Sequence, residues 1–183
     1  MLPRNRDFED LVTKLITATG RIEDCYFRVQ TASKNGPTVV YRERVYCYEL
    51  YHQLRNAIPD NGEYTLMGEL DKRGHEIFHG GKVPDFVFHV PGTMKGNLAV
   101  MEVKRIDNNE NDEIQNDCDK LRKFVEEEGK YKGAIYLVFG DRGGQTDRFR
   151  EIARQRLTGL TKGAFILLWH KRAHECAAKI LCL

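Results

Sequence analysis

The sequence predicts an α/β fold, a mixed central sheet covered by helices. Three observations predict it. Segments of helical period alternate along the chain with β-branched and aromatic runs. Ala134 to Phe139 is a near-continuous apolar run, the pattern of a strand buried on both faces. Pro84 to Val90 and Leu98 to Arg105 are two strand-like segments joined by a turn rich in Gly and Pro, as in a hairpin. The 183 residues suffice for one domain with a sizeable core and are short for two.

In chain order, Phe8, Leu11, Val12, Leu15 and Ile16 recur at helical spacing, so residues 5–18 read as an amphipathic helix that Gly20 can stop. Cys25 to Thr31 reads as a short strand and Ser33 to Pro37 as a loop. Residues 41–57 form the next helix, with Val45, Leu50, Leu54 and Ala57 on its apolar stripe and Pro59 ending it. Tyr64 to Leu70 is strand-like, and Lys72 to Lys82 is a polar connection. After the two hairpin strands, Glu110 to Glu128 is a helix with Ile114, Leu121, Phe124 and Val125 on its apolar side. The strand Ala134 to Phe139, a helix from Thr146 to Leu157 and a last strand from Ala164 to His170 complete the pattern.

Composition narrows the class of protein without naming a function. Charged side chains are 29 basic and 27 acidic, so a nucleic-acid partner is neither demanded nor excluded, and any basic patch must come from layout. The five cysteines lack a CxxC pair and zinc-ligand spacing, and are expected as thiols in a reducing cytoplasm. Residues 1–10, MLPRNRDFED, carry no apolar signal region, and no apolar run approaches a membrane span of ~20 residues, so no membrane partner is expected.

The chemistry gathers on the hairpin. Side chains alternate faces along a strand, so Leu98, Val100, Glu102 and Lys104 share one face, as do Asp85, Val87 and His89 on the preceding strand. If the strands pair, Asp85 begins one where Glu102 and Lys104 finish the other. Two carboxylates and a lysine then converge at one edge. Two carboxylates can hold Mg²⁺ while the ion keeps several waters. The metal polarises a phosphoryl oxygen and lowers the pKa of water, and a lysine positions the attacking water or stabilises negative charge. A solvated Glu–Lys pair at a strand end is the alternative for the ExK triplet alone, and a turn residue is the alternative for Asp85.

Pro84-Asp85, then Glu102-Val103-Lys104 with Glu102 seventeen positions after Asp85, resembles the motif of the PD-(D/E)XK nuclease superfamily. VPDFVFHVPG followed by NLAVMEVKR resembles its motif strands, and DCDKLRKF then GAIYLVFG resembles its crossover helix and fourth core strand. The likeness covers about half the chain. It implies a restriction-endonuclease-like fold for residues 1–183, with residues 1–40 extending the core. It implies a Mg²⁺-dependent endonuclease, with Mn²⁺ able to substitute, acting on nucleic acid and in the first place on DNA, in a setting such as antiviral defence or DNA repair. Asp85 and Glu102 are then the metal ligands, joined by the Val103 carbonyl, and Lys104 orients or activates water.

The likeness further implies an acidic residue on the first core helix. YELYHQLR makes Glu49 the best match, while Glu43 lies six residues earlier and points elsewhere. Glu69 matches an acidic position seen in some relatives, which implies a metal ligand, a residue supporting the ligands, or else a surface charge. Gln115, Asp119 and Lys120 are weaker candidates to line the site, as are His75 and His79 for phosphate contact. Gly140 to Gly144 lacks P-loop spacing and reads as a turn. Arg148, Arg150, Arg154 and Arg156 make a basic helix, suited to backbone phosphates or simply to solvent. A homodimer or a defence-system partner protein is expected from the likeness. The alternative is a non-catalytic nucleic-acid-binding or regulatory subunit on the same fold.

Overall fold

A computed structural model of the chain describes residues 5–32, 34, 36–58, 64–68, 84–90, 92, 96–107, 110–128, 131–142, 144–161 and 163–183. Glu69, His75 and His79 lie outside the described residues. Helix α1 (Asn5–Thr19) is followed by the short α2 (Asp24–Phe27), a small antiparallel pair β1 (Val29–Thr31) and β2 (Thr38–Val40), and helix α3 (Glu43–Ala57). Then come β3 (Thr65–Gly68), β4 (Phe86–His89), β5 (Asn97–Arg105), α4 (Asn111–Lys123), β6 (Gly133–Phe139), α5 (Gln145–Leu157), β7 (Phe165–His170) and β8 (Ala178–Cys182). A π-helical turn, Phe124–Glu128, extends α4.

The six strands β3 to β8 form one mixed sheet whose spatial order is their chain order. β3, β4 and β5 pair antiparallel, β5, β6 and β7 pair parallel through the crossover helices α4 and α5, and β8 returns antiparallel on β7. The expected α/β class with helices over a mixed sheet is therefore what the chain adopts.

Two apolar layers hold the sheet. On one face Phe8, Leu11 and Leu15 of α1 and Tyr46, Leu50 and Leu54 of α3 pack on Phe86, Met101, Val103, Ile135 and Leu137. On the other, Ile114, Cys118 and Leu121 of α4 and Phe149, Ile152 and Leu157 of α5 pack on Val87, Val100, Tyr136 and Val138. β6 feeds both layers alternately and is buried along its whole length, which is why its sequence shows no polar face. A Cβ on Gly133 would stand 2.3 Å from the Phe8 ring, so that α1 sits against the strand only because the position is glycine. Tyr46 stacks on Phe139 with ring centroids 3.9 Å apart, and its hydroxyl shares a 2.8 Å hydrogen bond with His170 Nδ1 across the core.

The expected strand Cys25 to Thr31 is divided: residues 24–27 make a helical turn and only Val29–Thr31 is extended. β2 and β8 were not expected from sequence. Among the described residues, no disulfide joins any two of the cysteines and no helix is long and apolar enough to cross a membrane.

Candidate metal centre

The hairpin pairing is the event that builds the site. β4 and β5 run antiparallel with Phe86 opposite Met101, which sets Asp85 one step further on, beside Glu102 and Val103. The Val103 N–H donates to Asp85 Oδ2 at 2.7 Å, tying the carboxylate to the neighbouring strand. Glu102 and Lys104 sit on the face of β5 that carries Val100, and so lie under α4.

Glu102 is only 3% exposed. Its Oε2 accepts from Lys120 Nζ at 2.6 Å, while its Oε1 is buried with no hydrogen-bond partner. A carboxylate oxygen left bare in the interior is costly. Burial pushes the Glu102 carboxyl well above the usual range, Asp85 pushes it further, and Lys120 opposes them. The Asp85 carboxyl is also raised, by burial first, with the Val103 hydrogen bond and Lys120 pulling it back.

Helix α4 supplies the counter-charges. Glu113, Asp117 and Lys120 recur at i, i+4 and i+7 and so share one face. Lys104 Nζ lies 3.3 Å from Glu113 Oε2 and 3.2 Å from Asp117 Oδ2. Lys120 Nζ lies 3.5 Å from Asp117 Oδ1, and the Tyr136 hydroxyl donates to Asp117 Oδ2 at 3.2 Å. Burial draws the Lys104 ammonium down, but Asp117, Glu43 and Glu113 outweigh it and hold its pKa above the ordinary lysine value. The same balance, with Glu102 as the chief opposing charge, raises Lys120. Both lysines are therefore cations at neutral pH, so Lys104 can donate a hydrogen bond or offset negative charge but is poorly suited to take a proton.

Asp85, Glu102, Lys104 and Lys120 are thus brought together. Glu49 is not. It accepts from Gln53 at 2.6 Å and stands about 160° around α3 from Cys47, at ~100° per residue, away from the face that meets Asp85. Glu43, at the first turn of α3, takes that place: its carboxyl feels Lys104, Asp85 and Asp117 and is raised, chiefly by burial. Gln115 and Asp119 also turn away, both toward Arg156 of α5. Arg148 and Arg150 are engaged by Asn111 and Asp147.

The sequence reasoning missed Asp117. A signal existed: Ile114, Asp117, Cys118 and Leu121 are the buried stripe of α4, so Asp117 is an acid at a core position. Glu43 was legible in the same way, being in phase with the buried Tyr46, Leu50 and Leu54, as Glu49 is not.

Among the described residues, no group of three or more His, Cys, Asp or Glu side chains is gathered as a ready metal shell. Mg²⁺ asks for less, one or two carboxylates with water completing an octahedron. The bare Glu102 Oε1 beside Asp85 fits that need. Comparison with known proteins returned no matching family model, no matching curated protein and no matching solved structure.

Proposed function

We propose that the chain is a metal-dependent nuclease of restriction-endonuclease-like type, hydrolysing phosphodiester bonds in nucleic acid and in the first place in DNA. The observation that carries the proposal is the bare Oε1 of Glu102, buried beside Asp85 and next to a lysine on the same strand face. Asp85 and Glu102 would hold Mg²⁺ or Mn²⁺, with the Val103 carbonyl as a further oxygen ligand. The ion, when bound, supplies Lewis-acid polarisation of the phosphoryl oxygen and eases the ionisation of water.

The chain's own groups do the rest. Lys104 stays protonated, donates to the attacking water or to a non-bridging oxygen, and offsets negative charge as it develops. Asp117 and Glu113 aim Lys104 by holding its ammonium. Lys120 neutralises Glu102 until an ion takes over that charge. Glu43, whose carboxyl feels both Lys104 and Asp85, would steer water or the ion through water.

The test is cleavage of plasmid and of single-stranded DNA with Mg²⁺ or Mn²⁺ by the parent, Asp85→Asn, Glu102→Gln and Lys104→Ala. Each variant is expected to lose at least a hundredfold in rate. Cleavage by all three at the parent rate would refute the mechanism. The Lys120–Glu102 contact favours a second reading, a binding or regulatory subunit in which the charges are structural. Calorimetry separates them: millimolar Mg²⁺ binds the nuclease and leaves the structural network untouched.

A further inference from the structure

A cavity of about 370 Å³ opens beside Asp85, lined by Cys47, Tyr48, Tyr51, Gly68, Asp85 and Phe86. Three of its six lining residues, Tyr48, Tyr51 and Phe86, are aromatic. Tyr51 is half-buried and lies nearly parallel to Phe86, with an interplanar angle of 16° and centroids 6.4 Å apart. Tyr48 is 62% exposed, one of the most exposed large apolar side chains described. At Gly68 the absence of a side chain leaves that wall to the Tyr51 and Phe86 rings and the Asp85 carbonyl.

The same helix face carries charge. Arg44, Tyr48, Tyr51 and Arg55 recur at i, i+4, i+7 and i+11, so one stripe of α3 sets a guanidinium on either side of the two tyrosines. Cations that track a phosphate backbone, interleaved with ring faces, are the pattern of single-strand binding. A packed duplex offers its bases only edge-on, so its rings cannot enter such a cleft without unstacking. The volume is at the small end for ligand pockets and suits one nucleotide rather than a stack.

We infer that this cleft takes an unpaired nucleobase next to the scissile phosphate, stacked on Tyr48, so that the substrate class is single-stranded nucleic acid. The inference rests on the nuclease reading, because it is Asp85 that joins the cleft to the reacting phosphate.

The experiment compares Mg²⁺-dependent cleavage of a fluorescent single strand, the same strand in duplex, and the strand carrying abasic positions. It uses the parent, Tyr48→Ala and Tyr48→Phe. Because Tyr48 is exposed, neither substitution removes core packing, and melting curves check this. The parent should prefer the single strand to the duplex by at least tenfold in kcat/KM and lose that margin on the abasic strand. Tyr48→Ala should raise KM about tenfold with Mg²⁺ affinity unchanged, and Tyr48→Phe should restore it. Equal cleavage of strand and duplex, with Tyr48→Ala matching the parent, overturns the cleft and leaves the nuclease reading standing. Absence of both Mg²⁺ binding by calorimetry and cleavage of any substrate overturns the nuclease reading, and the inference with it.

Discussion

Lys120→Met removes the ammonium that holds Glu102 while keeping most of the side-chain volume. Lys120 and Glu102 side chains are 15% and 4% exposed, so solvent cannot replace the lost partner. Breaking a buried pair from one side costs about 3–5 kcal/mol. In a domain of this size that is a fall of roughly 10 °C in melting temperature. Two things relieve the loss. Glu102 can take a proton, since burial and Asp85 already raise its pKa. A carboxyl whose folded pKa lies above its unfolded value near 4.5 binds more protons when folded, so the variant loses stability as pH rises through the folded value. A divalent ion can also replace the missing charge, and it gains by not competing with Lys120. Thermal melts at pH 5 and pH 8, with and without 10 mM Mg²⁺, read all of this. The expected result is a deficit larger at pH 8 than at pH 5, and a larger Mg²⁺-induced rise in the variant than in the parent. A variant as stable as the parent at pH 8, with no added response to Mg²⁺, refutes the reasoning.

Three further outcomes are expected. His170 is fully buried against Phe27 and Tyr46 and its pKa is pushed down by burial from 6.5 to about 4. Its neutral form stabilises the fold above pH 6.5, and about 3 kcal/mol is lost as pH falls through that interval, because only the unfolded chain takes the proton there. Urea titrations should show this acid slope in the parent and not in His170→Gln. Gly140 has φ +111°, and a Cβ there would meet Ile106 Cγ2 at 2.5 Å, so Gly140→Ala should cost about 2–4 kcal/mol by chemical denaturation. An unchanged midpoint would contradict the geometry. Asp117→Asn removes the largest charge holding the Lys104 proton, so the Lys104 ammonium should titrate at lower pH in the variant than in the parent, read by NMR of the lysine side chain. An unchanged titration would mean that Asp117 does not hold that proton.

The strands of the sheet centre were legible because burial on both faces leaves an unbroken apolar run, and β6 is the clearest case. The convergence of Asp85, Glu102 and Lys104 followed from the alternation of side chains along paired strands. What could not be read there was partnership. β8, AKILC, buries only Leu181 and has no period of its own, and the backbone of β7 recruits it. α2 is a four-residue turn, too brief to show a helical repeat. On α3 the likeness of YELYHQLR to a core helix points to Glu49, but Glu43 is the acid in phase with the buried Tyr46, Leu50 and Leu54. Asp117 reads in the sequence as an acid interrupting an apolar stripe, and its place is set by Lys104, Lys120 and Tyr136, which the fold brings around it.

Spatial order and chain order coincide from β3 to β8. Each strand leaving the ribosome therefore finds its neighbour already made, and no later segment must be threaded between two earlier ones. β5 reaches β6 and β6 reaches β7 through one crossover helix each, which keeps the entropic cost of closure low. The growing edge of the sheet simply moves outward, from β3 through the acid-bearing hairpin toward β8 at the finish. The acids are then translated before Lys120, so a nascent Glu102 meets water first and its ammonium partner only when α4 emerges.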